Sequence, residues 1–148
     1  MDLRLGGKRA LVTGSTAGIG YAIAEGLAQE GAEVIVNGRS AERVAEATDA
    51  INNATGARAI GIAADLGSAD GVMRLVNEAR RVDILVNNVG IFAPFPFTDI
   101  SDDAWQEIFD INVMSGVRLS RAFVPGMVER GWGRIVFISS ESGIQRSS

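Results

Sequence analysis

The apolar run Ala10-Leu11-Val12 leads directly into Thr13-Gly14-Ser15-Thr16-Ala17-Gly18-Ile19-Gly20, and that stretch leads directly into Tyr21-Ala22-Ile23-Ala24-Glu25. A strand, a glycine-rich turn and a helix start therefore follow one another without a spacer. Glycines let the backbone approach a ligand closely, and a helix N-terminus offers unpaired N–H groups at a positive dipole end. The arrangement suits a phosphate held by Gly14, Ser15, Thr16, Gly18, Ile19 and Gly20. The spacing is Gly-x-x-x-Gly-x-Gly, not the commoner Gly-x-Gly-x-x-Gly. Taken alone, it is equally the sequence of a tight strand–helix turn with no ligand.

Strand and helix patterns alternate along the rest of the chain. Strands are expected over residues 9–13, 33–37, 59–64, 82–87 and 134–139. Their short apolar runs, such as Val34-Ile35-Val36 and Ile84-Leu85-Val86, are of the buried parallel kind. Helices are expected over 18–30 (closed by Gly31), from the Ser40 cap to near Gly56, over 68–79, and over 102–129 behind the Ser101 cap. Pro125 is expected to bend the last of these. Short connections between alternating elements predict an α/β fold with a doubly wound parallel sheet. No repeat, low-complexity tract or linker interrupts the 148 residues, so a single domain is expected over 1–148.

Composition narrows the chemistry. There is no Cys and no His, which excludes thiolate metal sites, Cys nucleophiles and a Ser-His-Asp triad. Any catalysis rests on Ser, Asn, Lys, Tyr, carboxylates or a cofactor. The net charge of −4 has its signs interspersed, with no basic run for nucleic acid or an anionic membrane and no apolar run long enough to span one. A soluble cytoplasmic protein is the expectation.

The long helix near the C-terminus has two apolar rows. Trp105, Ile108, Asn112, Gly116, Leu119, Phe123 and Met127 form one stripe, in which Asn112 is the lone amide. Phe109, Val113, Val117, Val124 and Val128 form another. A helix apolar on two sides is usually buried on two sides, which predicts a homo-oligomer packed through this helix. Asn112 on an apolar stripe reads either as a structural tie to the backbone or as a functional group. The apolar loop Gly90-Ile91-Phe92-Ala93-Pro94-Phe95-Pro96-Phe97 reads either as a pocket wall or as packed core.

Taken together, these motifs resemble the short-chain dehydrogenase/reductase family. The Thr-Gly-x-x-x-Gly-x-Gly turn matches. Asn87-Asn88-Val89-Gly90 stands where that family has Asn-Asn-Ala-Gly, and Ser139-Ser140-Glu141-Ser142-Gly143 matches its Ser-Ser-x-x-Gly. Asp65-Leu66 matches the pair that holds an adenine. The motifs occur in the family's order over nearly the whole chain. The resemblance implies a dinucleotide-binding (Rossmann-type) fold with strand order 3-2-1-4-5 and hydride transfer between a nicotinamide and a carbonyl or alcohol carbon. It implies Ser140 as the hydrogen-bond donor to the reacting oxygen and Asn112 in a proton relay, with Asn88 and Gly90 in the cofactor site.

Cofactor choice follows from charge. An acid about 20 residues past the glycine turn would bind a ribose 2′-hydroxyl. Asn37-Gly38-Arg39-Ser40 stands there instead. With no carboxylate, and with the donor fork of Arg39 beside the Ser40 hydroxyl, the segment suits a 2′-phosphate, so NADP(H) is expected over NAD(H). One departure is large. The family's acid/base, Tyr-x-x-x-Lys, follows its Ser, yet no Tyr or Lys follows Ser140; Tyr21 is the one Tyr and Lys8 the closest Lys. The apolar fifth strand would also stand as a bare edge. The chain is accordingly expected to be the cofactor-binding part of a longer protein, truncated before the acid/base helix. The alternative is a non-catalytic NAD(P)-binding or interaction protein. A receiver-type domain fits poorly, since its acidic cluster and phospho-acceptor are missing.

Overall fold

The computed structural model describes residues 3–140. Among them, five strands form one parallel sheet in the order β3-β2-β1-β4-β5. They are β1 (Arg9–Val12), β2 (Glu33–Gly38), β3 (Ala59–Ala63), β4 (Ile84–Asn87) and β5 (Arg134–Phe137). The helices are α1 (Gly18–Gln29), α2 (Ala41–Thr55), α3 (Ala69–Ala79), α4 (Asp102–Phe109) and α5 (Ser115–Glu129). The predicted fold class and strand order hold.

Alternation along the strands divides the core into two layers. Ala10, Val12, Val34 and Val36 face α1 and α2, meeting Ala24, Ala28, Ala47 and Ile51. Leu11, Ile35 and Leu85 face α3 and α5, meeting Val72, Leu75, Leu119, Phe123 and Met127. Caps fall where polar side chains precede apolar periods. Ser40, Ser68 and Ser101 accept from the N–H of Arg43, Gly71 and Ala104, and Gly56 closes α2 in the left-handed conformation.

The expected single helix over 102–129 is two helices. A π-helical turn, Asp110–Met114, separates α4 from α5, while α5 runs on through Pro125. The interruption thus lies at the residue that looked out of place, Asn112, and not at the proline. In such a turn the backbone bonds run i to i+5, so one residue more is wound into the turn. The apolar loop is also resolved between its two readings. Phe92, Phe95 and Phe97 are 83%, 65% and 77% exposed, so the loop is not packed core, and Phe97 makes an edge contact with Trp105.

The amino ends of the strands are fixed by a buried carboxylate. Asp83 accepts from the Arg9 N–H at 3.0 Å, from Arg81 Nε at 3.2 Å and from Arg130 Nε at 3.2 Å. Arg130 also donates to the Val82 carbonyl, tying the end of α5 to the start of β4. Burial alone would raise the Asp83 carboxyl. The hydrogen bonds from Arg81 and the Arg9 N–H, with the charges of Arg81 and Arg130, outweigh it and hold the carboxyl below its ordinary value. This network leaves the opposite, carboxyl ends of the strands to the loops that carry the motifs.

Candidate functional site

The site is built from the turn after β1. Gly14 and Gly18 have φ of +61° and +57°, a region that favours glycine. A Cβ on Gly20 would overlap the Gly14 carbonyl oxygen and the Asn88 amide, so the start of α1 sits directly against the turn. Ala17 caps α1 without a side-chain bond, and the first helical bond runs from the Tyr21 N–H to the Ala17 carbonyl. The N–H groups of Gly18, Ile19 and Gly20 precede that bond, and Gly18 and Ile19 are exposed while Gly20 is buried against the turn. A cradle of this shape and polarity fits a pyrophosphate.

Neighbouring strands hold the turn in shape. Thr13 Oγ1 accepts from the Asn88 and Val89 N–H groups at 2.9 and 3.0 Å, and Asn88 Nδ2 donates back to the Thr13 and Gly14 carbonyls at 2.9 and 3.1 Å. Ser15 turns inward. It is fully buried, its Oγ donates to the Val12 carbonyl at 2.7 Å and accepts from the Asn37 N–H at 3.0 Å. Its hydroxyl therefore braces the turn and is not presented to the open cradle. Asn37, at the end of β2, donates from its amide to the Ile62 carbonyl at 3.1 Å. Sequence reasoning missed Thr13 and Asn37 as site supports; the available signal was a polar side chain ending each of two buried apolar runs.

Arg39, Asp65, Leu66, Gly90 and Ile91 come together around a cavity of about 110 Å³ beyond the carboxyl ends of β2, β3 and β4. Open α/β sheets bind ligands at this edge. Leu66 contributes its side chain to the core, while Asp65 is exposed and accepts from the Gly67 N–H at 3.0 Å. Arg39 and Ser40 are exposed, and Ser40 Oγ accepts from the Arg43 N–H at 3.3 Å. Thr16 lies against Gly38, where a Cβ would come within 2.6 Å of Thr16 Cγ2.

Asn112 clamps the loop beyond β4. Its Oδ1 accepts from the Ile91 N–H and its Nδ2 donates to the Ile91 carbonyl, both at 2.7 Å. The amide thus serves as a tie to the backbone. Ser140 is exposed at the carboxyl end of β5, where the Ile138 N–H continues the pairing with the Asn87 carbonyl at 3.0 Å. The Asn87 amide is buried with neither atom bonded and lies against Gly116 of α5. Glu141, Ser142 and Gly143 of the Ser-Ser-x-x-Gly motif lie outside the described residues. Tyr21 belongs to α1 and packs on the opposite core layer. Burial, then the Glu25 carboxylate, raises its phenol above the ordinary value.

Comparison with known proteins agrees with this geometry. The short chain dehydrogenase profile matches residues 8–148. The uncharacterized oxidoreductase YvaG of Bacillus subtilis is 49% identical over 148 residues, covering 99% of this chain and 56% of that protein. The 3-oxoacyl-[acyl-carrier-protein] reductase FabG of Aquifex aeolicus is 39% identical over 147 residues, covering 97% and 59%. The crystal structure of L-sorbose reductase from Gluconobacter frateurii, complexed with NADPH and L-sorbose, superposes with a TM-score of 0.93 at 39% identity, covering 98% and 57%. The chain thus spans little more than half the length of the relatives it matches. With the glycine turn, the Asn88 brace, the Asn112 clamp and the strand order all present, the chain belongs to the short-chain dehydrogenase family.

Proposed function

We propose that this chain carries the NADP(H)-binding part of an oxidoreductase acting on a small carbonyl or alcohol substrate. The observation that carries the reading is the open N-terminus of α1 with Arg39 at the end of β2 and no carboxylate in residues 37–40. When bound, the nicotinamide supplies or accepts the hydride. Gly14, Thr16, Gly18, Ile19 and Gly20 hold the pyrophosphate, with Ser15 as a brace. Arg39 and Ser40 take the 2′-phosphate, and Asp65, Leu66, Asn88 and Gly90 form the remaining cofactor walls. Ser140 donates to the substrate oxygen. Asn112 acts by fixing Ile91, so its contribution to a proton relay is one of position.

Titrating the chain with NADPH and NADH tests the reading. The wild type is expected to favour NADPH. Arg39→Asp removes a charge-assisted fork and adds repulsion, and the preference is expected to fall by about tenfold or more. Equal preference in wild type and variant would overturn it. Arg39→Asp is a cleaner probe than Gly38→Asp, whose Cβ would press on Thr16. Because the chain spans 56% of the matched YvaG, turnover is assigned to a longer protein of which residues 1–148 form the cofactor-binding part. A ketone panel with NADPH separates this from a binding-only role: no turnover by the longer protein favours the latter.

Oligomerisation and a cytoplasmic setting belong to the same proposal. Phe109, Val113, Val117, Val124 and Val128 are all exposed along the outer side of α4 and α5, and a second copy is the proposed cover. No described helix is long and apolar enough to cross a membrane. Val117→Glu with Val124→Glu is expected to convert the longer protein to monomer in sedimentation; an unchanged mass would remove α5 from the interface.

A further inference from the structure

The loop that leaves β4 is held at both ends and bare in between. At its start, Asn112 fixes Ile91 through two bonds of 2.7 Å. At its far end, Phe97 meets Trp105 of α4 edge-on, with ring centroids 6.1 Å apart. Between these anchors, Pro94 and Pro96 restrict the backbone. Phe92 and Phe95 are exposed, and neither ring has an aromatic partner among the described residues. A ligand laid on a loop pinned in this way meets a surface whose ordering is already complete.

Register places this loop beside Ser140. Asn87 of β4 pairs with Phe137 of β5. Three residues further along the two chains stand Gly90 and Ser140, and Phe92 comes two residues after Gly90. Gly90 and Ile91 also line the cavity that Arg39 borders. From Val89 to Phe97, no side chain carries a hydroxyl, an amide or a charge. The next hydroxyl, on Thr98, already donates to Asp99 at 3.1 Å. A polyhydroxylated ketone therefore finds no side-chain hydrogen-bond partner on this segment, and an anionic one finds no cation. Desolvating their polar groups here costs free energy, whereas an apolar substituent gains by leaving water. Phe97 is drawn toward the apolar row of α4 and α5, because Trp105 lies one turn before Phe109. Phe92 and Phe95 lie on the Ile91 side of that contact.

We propose that Phe92 and Phe95 determine specificity, as an aromatic wall for the apolar substituent of an uncharged ketone, or of the matching alcohol, whose oxygen meets Ser140. The proposal rests on the dehydrogenase reading and names its substrate class: aryl and alkyl ketones, in preference to polyhydroxylated or anionic ones. Aromatic rings supply a large apolar contact at fixed geometry, which suits a flat or extended hydrocarbon group.

Steady-state reduction of acetophenone, dihydroxyacetone and pyruvate by the longer protein with NADPH tests it. Acetophenone is expected to have the highest kcat/KM, by about tenfold or more. Phe92→Ser with Phe95→Ser exchanges both rings for small polar groups at exposed positions that folding tolerates. It is expected to lower the ratio of acetophenone to dihydroxyacetone kcat/KM by about tenfold, the scale of one large apolar side chain. Phe92→Leu with Phe95→Leu keeps apolar bulk, and its ratio is expected to stay closer to wild type than that of the serine variant. NADPH affinity, read by fluorescence titration, is expected to be unchanged in both. A wild type that prefers dihydroxyacetone or pyruvate, or a ratio that the serine variant leaves unmoved, would overturn the proposal while NADPH-dependent turnover stands. Turnover of no ketone, with NADPH bound, would remove the dehydrogenase reading and this proposal with it. Sedimentation showing that the serine variant dissociates an oligomer would also overturn it, because a second copy would then cover the loop.

Discussion

Asn112 illustrates how a single side chain acquires its role from the backbone around it. On a helical wheel it is an amide stranded among apolar neighbours. In the fold it lies within the π turn, and both ends of its amide bond Ile91 at 2.7 Å. Asn112→Ala removes one acceptor and one donor, each worth about 0.5–1.5 kcal/mol. The variant is expected to lose about 1–2 kcal/mol in urea unfolding, with hydrogen exchange at the Ile91 amide at least tenfold faster. Unchanged exchange at Ile91 would show that other contacts hold the loop. The pairing could be anticipated only as a tie of unknown partner, because nothing in the sequence brings residue 112 to residue 91. The inward turn of Ser15 was equally invisible, since a serine in a glycine-rich turn serves a ligand or the turn with the same local sequence.

At the level of elements, boundaries were legible where a cap or a glycine marks them and less so where packing decides. Ser40, Ser68, Ser101 and Gly56 delimit helices as their chemistry requires. The start of the fourth strand was not marked. Val82 and Asp83 are buried, but their place is set by the Arg9, Arg81 and Arg130 network, and the strand begins at Ile84. The proline was a misleading sign. Pro125 is exposed within α5, and its missing N–H leaves the Arg121 carbonyl without its helical donor. Because the helix continues through it, Pro125→Ala is expected to restore that bond and raise stability by about 1–2 kcal/mol. A lower thermal midpoint in the variant would mean that the proline relieves strain between α5 and β5.

For the molecule as a whole, the sheet is secured at its amino edge and left open for ligands at its carboxyl edge. Asp83 is the centre of the first part. Its carboxyl is held below the ordinary value near 4, so its contribution is complete above that value and is lost as pH falls through the lower, folded one. Asp83→Asn is expected to cost about 1.5–3 kcal/mol at neutral pH, the scale of hydrogen bonds to a charged group, with Arg81 and Arg130 partly solvated. The check is the pH dependence of the urea midpoint. From pH 5 downward the wild type should lose stability more steeply than Asp83→Asn, and parallel curves would remove Asp83 as the source.

The sequence by itself determined the order of strands and helices, the glycine turn at the start of α1, and the absence of a carboxylate in residues 37–40. These are local features, dictated by periodicity, by backbone conformations that favour glycine, and by side-chain charge. Only the tertiary structure decided that Ser15 and Thr13 brace the turn while Gly18 and Ile19 stay exposed, that Asn112 meets Ile91, and that the Phe92 loop is exposed. Each of these depends on which distant segments the parallel sheet brings side by side, and on whether a polar group finds its partner there.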